Sequence, residues 1–367
     1  MPSPAYSPGS DSLVLIEAGG FYPKIYGVSS VAKIMVNSQS LLQFCCFICT
    51  DVITTSEDGA PAVTSSTQTE VSGRQLLSLR LLDNDALHYY TGLETAEKFI
   101  FVLSTLGPAV HSLVYYYNTI PPLTVEDQFL LTLIKLRTHP TNKELSFLFG
   151  VNEKLVSNVF ITWINFMYCQ WTEIDWWPSR ELVRYYTPSH FSQKFPKTRV
   201  ILDGTEFPIK RPKQPVVQQA TFSTYKNRNT MKVLVGISPG GLVSYVSEAY
   251  GGSTSDRQTV ERSNLVNKCD PGDEIMADKG FNVDDLFLPY QIAVNIPTFF
   301  RKRNRMTAET VTRDRKISSK RVHVERAIGL AKTYKIMRDP MNSLESTLST
   351  QISTVCFLLC NFRRCIM

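Results

Sequence analysis

Three acidic residues in the C-terminal half of the chain have the types and positions needed to hold divalent metal. Asp203 and Asp278 each end or interrupt an apolar run of strand length, and Glu325 opens onto a helical pattern after a stretch rich in Lys and Arg. Hard cations such as Mg²⁺ take oxygen ligands, and a pair of them can stabilise the attacking and leaving oxygens of a phosphodiester. The pattern therefore indicates metal-dependent phosphodiester chemistry.

The elements that would position these acids follow from the apolar periodicity after residue 198. Short apolar runs predict five strands, at 199–202, 231–237, 242–250, 274–277 and 292–296. Helical signals predict four helices, at 255–266, 283–288, 319–334 and 344–362. Three meandering strands, then helix, strand, helix, strand and helix, is the element order of an RNase H-like fold. We expect an α/β domain over residues 198–367 with a mixed five-stranded sheet and flanking helices, its first strand central and beside the strand that ends at Asp278.

An all-α module is predicted upstream of this sheet, at residues 76–175. Apolar residues spaced by three and four predict helices at 85–90, 94–106, 125–136, 142–148 and 153–168. Residues 124–170 contain a helix-turn-helix pattern, in which Gly150 ends a short helix and Asn152 caps the next one. The predicted outward positions of the second helix are weakly basic: Glu153, Lys154, Ser157 and Asn158. DNA reading and a purely structural role both stay open for this module.

The composition favours a soluble intracellular protein. Hydrophobic residues make up 43% of the chain, and a net charge of +6 suits nucleic acid without requiring it. The 8 cysteines show no paired framework, which favours reduced thiols. We find neither a secretory signal pattern nor an apolar run of membrane-spanning length, so no membrane association is expected. Residues 1–75 are predicted to be irregular, with a linker rich in Ser and Thr at 52–73.

A series of short motifs across residues 198–335 resembles the DDE nuclease domain of PIF/Harbinger-type transposases and of host proteins derived from them. In order they are Asp-Gly-Thr at 203–205, Tyr-Lys-Asn at 225–227, Val-Gly-Ile-Ser-Pro-Gly-Gly at 235–241, Gly-Gly-Ser-Thr-Ser-Asp-Arg at 251–257, Ala-Asp-Lys-Gly-Phe at 277–281 and Val-Glu-Arg-Ala at 324–327. The helix-turn-helix is also similar to the one that precedes this nuclease in the family. The resemblance implies a location in the nucleus, with the cytoplasm also open. It further implies DNA as substrate and a separate Myb-like partner protein that supplies DNA recognition, and it leaves a homo-oligomer open.

The resemblance also adds a fourth acid, Asp256, because an acid at this place is treated as a metal ligand in the family. It implies Mg²⁺ or Mn²⁺ as the metal, held by Asp203, Asp256, Asp278 and Glu325, with Asp203, Asp278 and Glu325 as the catalytic residues. Each acid alone has an ordinary interpretation: a turn at Asp203, a first-turn helix acid at Asp256, or an ion pair of Glu325 with a neighbouring arginine. The four together, in this order, favour a metal site.

Basic residues before and along the Glu325 helix are predicted to contact DNA phosphates, because phosphate contacts dominate DNA affinity. They are Arg301, Lys302, Arg303, Arg305, Arg321 and Lys332. A solvated loop or a nuclear-localisation-like run is the alternative interpretation of this basic segment. We therefore interpret the chain as a metal-dependent DNA endonuclease of the transposase type. The alternative is a domesticated, transposase-derived DNA-binding or scaffold protein without catalytic turnover.

Overall fold

The structure, a computed structural model, describes residues 76–278, 280–298 and 307–363. The first part of these residues is helical. The five predicted helices are present, as α1 (Asn84–Thr91), α2 (Ala96–Ser104), α3 (Val125–Thr138), α4 (Asn142–Phe149) and α5 (Glu153–Thr172). Two shorter helices follow, α6 (Arg180–Tyr186) and α7 (Ser189–Ser192). The irregular region and linker predicted at 1–75 lie outside the described residues.

The end of the first helix and the start of the second, as predicted for the helix-turn-helix, are confirmed. Helix α4 ends at Gly150, whose φ of 63° lies in the left-handed region that a residue without Cβ adopts at little cost. Helix α5 begins after Asn152, whose side chain accepts a hydrogen bond from the backbone N–H of Leu155. Val156 and Val159 of α5 are buried in the core, as predicted. These caps fix the angle at which the two helices meet.

The sheet that follows is mixed, with β1 (Thr198–Pro208) at its centre. Strand β1 pairs antiparallel with β3 (Arg228–Ile237) and parallel with β6 (Glu274–Met276), and β6 pairs parallel with β7 (Ala293–Asn295). The predicted central position of the first strand, beside the strand that leads to Asp278, is confirmed. Strand β1 runs on to Pro208, six residues beyond the predicted end, because its pairing with β3 continues as far as Thr230.

The outer edge of the sheet differs from the prediction of a single strand at 242–250. It is divided into β4 (Val243–Val246) and β5 (Tyr250–Gly251), which both pair with β3. The strand is interrupted at Ser247, because the Ser247 hydroxyl accepts from the backbone N–H of Leu234 in place of a strand carbonyl. A further short strand, β2 (Phe222–Ser223), pairs with the start of β3. The sheet described here therefore contains seven strands instead of five.

Further helices cover the two faces of the sheet: α8 (Pro215–Thr221), α9 (Asp256–Arg262), α10 (Asp284–Phe287), α11 (Ala308–Ala331), α12 (Ser343–Thr347) and α13 (Ser349–Cys360). Helix α11 begins well before the predicted start at Ser319, because Thr307 caps it by accepting from the N–H of Thr310. The predicted C-terminal helix is divided at Leu348 into α12 and α13.

Alternate residues of β1 face two separate apolar clusters. Ile201 packs in the same cluster as Val324 of α11, whereas Val200 and Leu202 pack in the cluster that contains Val260 of α9. This is the two-residue alternation of a strand buried on both faces. Helices α11 and α9 therefore cover opposite faces of the central strand, and each can bring side chains to it.

The first of these clusters continues without a break from the helical region into the α/β region. Trp171 at the end of α5 and Trp176 just after it pack on Phe362, with ring centroids 5.7 and 6.2 Å apart respectively. The boundary predicted between residues 175 and 198 stays a prediction. No helix in the described ranges combines the length and the apolar character needed to span a membrane.

Candidate active site

Asp203 lies inside β1, on the face of the sheet that α11 covers. It pairs with Val235 of β3, and the alternation along β1 places it on the same face as Ile201. One of its own carboxylate oxygens, Oδ1, accepts from the backbone N–H of Gly204 at 2.9 Å. The side chain is partly buried, so the strand holds a carboxylate in a position where water alone cannot fully solvate it.

Asp278 reaches the same place from the neighbouring strand. The parallel pairing of β1 and β6 ends with Ile201 opposite Met276, and two residues further along the two chains stand Asp203 and Asp278. Glu325 approaches from the second-to-last turn of α11, the helix that packs on this face. The structure thus brings together the three acids predicted as catalytic, one from each of three elements.

The pKa of Asp203 is affected by the charges of the residues around it. The pKa of Asp203 is raised to about 6, chiefly by burial and to a smaller extent by the negative charges of Asp278 and Glu325. The charge of Arg321 and the hydrogen bond from Gly204 act in the opposite direction. A cation close to Asp203 therefore favours its ionised form.

Arg321 supplies a cation to the other two acids. Its Nη1 lies 2.6 Å from Oδ1 of Asp278, and its Nη2 lies 3.6 Å from Oε1 of Glu325, one turn further along α11. Arg321 is only 9% exposed, while the carboxylates of Asp278 and Glu325 are about half exposed. Arg321 was predicted to contact DNA, but in the structure its guanidinium group lies against these acids.

Asp256 is in a different position from the other three. It is the first residue of α9, after a capping box of Ser255 and Gln258 that the sequence predicted. A Cβ placed on Gly204 would lie 3.1 Å from Oδ1 of Asp256, and Gly204 faces away from the side of Asp203 because neighbouring strand residues alternate. A Cβ placed on Gly280, two residues after Asp278, would lie 3.5 Å from Oδ2 of Asp256. Asp256 therefore approaches the sheet near Asp203 and Asp278 from the side of α9.

Lys232 holds Asp256 on this second face. Its Nζ lies 3.2 Å from Oδ1 of Asp256 and 3.6 Å from Oε1 of Glu206, and it donates to the carbonyl of Thr254 at 2.9 Å. Glu206 is a buried acid that the sequence analysis did not single out, and it also accepts from the hydroxyl of Thr230. Only the β1–β3 register, which places Glu206 opposite Lys232, could have revealed this pair.

Lys332, which follows α11, lies within range of both groups of acids. Burial lowers the pKa of Lys332, as do the charges of Lys226 and Arg228, whereas Asp203 and Glu206 raise it. Lys332 was predicted to contact DNA, and in the structure it stands beside the candidate site. The other predicted DNA contacts, Arg301, Lys302, Arg303 and Arg305, lie outside the described residues.

One predicted outward position of the helix-turn-helix is wrong. Asn158 is buried at 1% exposure, where its Oδ1 accepts from the N–H of Tyr117 and its Nδ2 donates to the carbonyl of Thr119, both at 2.8 Å. The error arose because the loop before α3 folds back over this helix turn, a contact that periodicity does not show. Ser157 is half-buried and accepts from Asn142, so Glu153 and Lys154 are the two predicted positions that are fully exposed.

Two family models match the chain over the regions just described. Residues 202–361 match the model of a DDE superfamily endonuclease, and residues 121–173 match that of the helix-turn-helix of DDE superfamily endonucleases. These matches support a DDE superfamily, transposase-derived endonuclease. No curated protein and no solved structure matches the chain. Asp203, Asp256, Asp278 and Glu325 all lie within the first matched range.

DDE endonucleases generally use divalent metal ions, and the donor chemistry of this site fits such ions. Carboxylate oxygens are the ligands that Mg²⁺ and Mn²⁺ prefer, and a bound cation would favour the ionised form of the partly buried Asp203. Among the described residues, however, no group of three or more Asp, Glu, His or Cys side chains is arranged to hold a metal ion. Arg321 and Lys232 occupy the carboxylates instead. The acids thus have the donor atoms that divalent metal prefers, but Arg321 and Lys232 form ion pairs with Asp278 and Asp256 in this structure.

Proposed function

We propose that this chain is a metal-dependent DNA endonuclease of the transposase type, of the PIF/Harbinger clade, with Asp203, Asp278 and Glu325 as its catalytic carboxylates. One observation carries the proposal. A partly buried acid in the central strand is approached by acids from a second strand and from a helix, closely enough that their charges raise its pKa. This arrangement lies in the region that matches the DDE superfamily endonucleases.

These three carboxylates would hold Mg²⁺ or Mn²⁺ in a two-metal centre. When bound, divalent metal lowers the pKa of an attacking water and stabilises the charge on the leaving oxygen. Asp203 is fixed by the central strand and so can act as the common ligand, whereas the more exposed Glu325 is placed to orient a water. Asp256 would join as a fourth ligand only after it leaves Lys232.

The protein's own cations have roles in this proposal. Arg321 neutralises Asp278 and Glu325 before metal arrives, so the acids do not repel one another out of the site. Lys332, beside Asp203, adds positive potential where a DNA phosphate would approach. The basic residues Arg301, Lys302, Arg303 and Arg305 would extend this potential along the DNA.

Sequence recognition is proposed to come from a partner. Among the outward positions predicted for the second helix of the helix-turn-helix, Lys154 is the one cation, and it is exposed. A single cation there suits general contact with DNA better than base reading. We propose that this partner is a Myb-like protein and that the chain is located in the nucleus. Both proposals rest on the resemblance of the sequence to PIF/Harbinger-type transposases. The helix-turn-helix would then act as an accessory DNA contact.

A domesticated DNA-binding or scaffold protein without turnover is the second candidate. The ion pair of Arg321 with Asp278 favours it, because a guanidinium group that stays in place would exclude metal from that carboxylate. The two candidates share the fold and the expected binding of DNA. They differ in whether metal displaces Arg321.

A plasmid-nicking assay separates the two candidates. The full chain is incubated with supercoiled plasmid, with and without Mn²⁺, beside its Asp203→Ala, Asp278→Ala and Glu325→Ala variants. We expect nicking that requires metal and that falls by orders of magnitude in each variant, because each loses one metal ligand. Glu309→Ala, which removes an exposed acid from the first turn of the same helix as Glu325, is the matched control and should nick normally.

The outcomes are distinct. Near-normal nicking by one of the three variants removes that residue from the catalytic set. A folded wild-type chain that binds DNA but does not nick it with any divalent metal would support the domesticated protein.

A further inference from the structure

The turn between β2 and β3 presents an exposed aromatic side chain next to basic residues. Tyr225 is 83% exposed, and the Nζ of Lys226 lies 4.5 Å from the centroid of its ring. Phe222, at the base of the turn, is also exposed. An exposed aromatic ring next to a cation has a free face on which a base can stack. We refer to residues 222–228 as the hairpin tip.

The hairpin tip is held in one conformation by hydrogen bonds. Phe222 pairs with Asn229, and Ser223 with Arg228, and the Ser223 hydroxyl accepts from the N–H of Lys226. The buried side chain of Asn229 donates to the carbonyl of Gln218 and to the hydroxyl of Thr221, which ties the tip to α8. Tyr225 is therefore presented on a fixed support, which lowers the entropy cost of binding.

The charge around the hairpin tip has one sign. The sequence from 207 to 247 contains no Asp or Glu, although it includes basic residues at Lys210, Arg211, Lys213, Lys226, Arg228 and Lys232. Within the described ranges, neither Lys226 nor Arg228 forms an ion pair. Lys232 pairs with Glu206 and Asp256, so Lys226 and Arg228 are the cations of the hairpin tip that are left for a ligand. Two such cations beside an exposed aromatic ring are complementary to nucleic acid, whose phosphates are anionic and whose bases have flat faces.

The hairpin tip is on the same side of the molecule as the candidate catalytic acids. Lys332 feels both groups, because the charges of Lys226 and Arg228 lower its pKa and those of Asp203 and Glu206 raise it. Asp203 is opposite Val235 on β3, and Arg228 precedes Val235 by seven residues on the same strand, which corresponds to roughly 23 Å at about 3.3 Å per residue. The hairpin tip is thus separated, along β3, from the residue that pairs with Asp203.

We propose that the hairpin tip binds an unpaired base of the substrate DNA, which stacks on Tyr225 while neighbouring phosphates contact Lys226 and Arg228. The inference rests on the proposed function, since the DNA is its substrate. A stacked base needs a free face, which bases within an intact duplex do not offer. The tip therefore favours DNA with single-stranded or unpaired nucleotides several positions from the cleaved bond, and it sets how the strand lies over the acids.

The test measures DNA binding separately from cleavage. The full chain is titrated, with EDTA present to prevent cleavage, against blunt duplex DNA and against the same duplex with a single-stranded extension. The extension carries 2-aminopurine, whose fluorescence is quenched when it stacks. We expect tighter binding to the extended DNA, with quenching. Tyr225→Ala should lose about tenfold in affinity for the extended DNA, together with the quenching, and should bind blunt duplex as the wild type does.

Two further variants define the role of the ring. Tyr225→Phe keeps the aromatic face and should retain both affinity and quenching. Tyr185→Ala, which removes an 81% exposed tyrosine from α6 outside the hairpin tip, is the matched control and should behave as the wild type. Thermal melting of each variant checks that the fold is intact.

Each alternative outcome has its own meaning. If Tyr225→Ala binds both DNAs as the wild type does, the stacking inference is overturned while metal-dependent nicking by the wild type still stands. The Lys226→Gln and Arg228→Gln double variant could weaken binding to both DNAs equally while Tyr225→Ala weakens binding to neither. The hairpin tip is then only an electrostatic contact to duplex DNA, which also overturns the stacking inference. A wild-type chain that neither binds nor nicks any DNA overturns the proposed function itself.

Discussion

Arg321 and Asp278 form the shortest contact in the candidate active site, with 2.6 Å between Nη1 of the guanidinium group and Oδ1 of the carboxylate. Asp278 follows β6, while Arg321 projects from α11, so the contact joins the helix to the edge of the sheet where the acids meet. The same guanidinium group also reaches Glu325 and lowers the pKa of Asp203 by its charge. Arg321 therefore occupies the electrostatic role that divalent metal would take over.

We expect Arg321→Gln to have opposite effects without and with metal. Without metal the variant should lose roughly 1–3 kcal/mol of unfolding free energy, because Asp278 and Glu325 lose their partner. With millimolar Mn²⁺ its rise in melting temperature should exceed that of the wild type, because metal no longer competes with the guanidinium group. Melting curves of both proteins, with and without Mn²⁺, measure the two effects.

Arg180→Gln is the control for this prediction. Arg180 pairs with Asp273 at 2.8 Å, at the opposite end of β6 from Asp278, so its loss should change stability but not the metal-induced shift. A metal-induced shift in Arg321→Gln that is smaller than in the wild type would show that Arg321 supports metal binding and does not compete with it.

The raised pKa of Asp203 predicts how stability depends on pH. Because the folded pKa of about 6 exceeds the ordinary value of 3.8, the stabilising contribution is fully present below pH 3.8 and is lost as the pH rises through 6. Asp203→Asn, which stays neutral, should therefore become more stable than the wild type as pH rises from about 4 to 7. In EDTA we expect a difference on the order of 2–3 kcal/mol by denaturant titration.

Asp285→Asn should show the opposite trend and serves as the control. The hydrogen bond from Arg257 lowers the pKa of Asp285, so its ionised form is favoured by folding and the Asn variant should be the less stable one at neutral pH. An Asp203→Asn difference that stays constant between pH 4 and 7 would mean that Asp203 titrates normally. Adding Mn²⁺ should reduce the difference, since metal favours the ionised wild-type carboxylate.

A buried ion pair predicts strong coupling between the helical region and the C-terminal helices. Lys135 of α3 lies 3.2 Å from Oε1 of Glu345 in α12, and both side chains are almost fully buried. Glu345→Gln should cost roughly 3–5 kcal/mol at neutral pH, because it leaves Lys135 buried without a counter-charge. Glu261→Gln, which breaks the exposed pair with Arg257, should cost about 0.2–1 kcal/mol and is the control.

The pH dependence of Glu345 gives an independent check. Burial acts to raise its pKa, but the hydrogen bond with His139 and the charge of Lys135 hold the pKa at about 2. Its stabilising contribution is thus present above the ordinary value of 4.5 and is lost as the pH falls towards 2. The difference between wild type and Glu345→Gln should shrink over this window. A difference that is unchanged from pH 6 to 3 would contradict the assignment.

Two neighbouring residues of the helix-turn-helix should separate structure from DNA contact. Asn158→Ala should lose about 1–3 kcal/mol of stability, because it removes two hydrogen bonds that the buried Asn158 makes to the backbone of Tyr117 and Thr119. It should leave the DNA affinity of the folded protein unchanged. Lys154→Ala should leave stability unchanged and weaken binding similarly on all sequences, with a salt slope reduced by about 1. If Asn158→Ala kept normal stability and lost binding only to particular DNA sequences, Asn158 would be a residue that contacts DNA bases.

The elements of the fold could be predicted where local patterns decide them. The helices α1 to α5, the capping box at Ser255 and the central place of β1 follow from apolar spacing, caps and the order of elements. The extension of β1 to Pro208 and the division of the outer strand could not be predicted. Both depend on hydrogen bonds between distant segments, such as that of Leu234 with Ser247.

The sequence by itself determined which residues are available for chemistry: three acids in strand, strand and helix contexts, and the basic residues near them. Only the tertiary structure decided how they are grouped. Because strand residues alternate between faces, Asp203 meets Asp278, Glu325 and Arg321 under α11, whereas Asp256 lies with Lys232 on the side of α9. Charge pairing acts through space over a few ångströms, so the partners of each acid depend on register and packing, which no local pattern encodes.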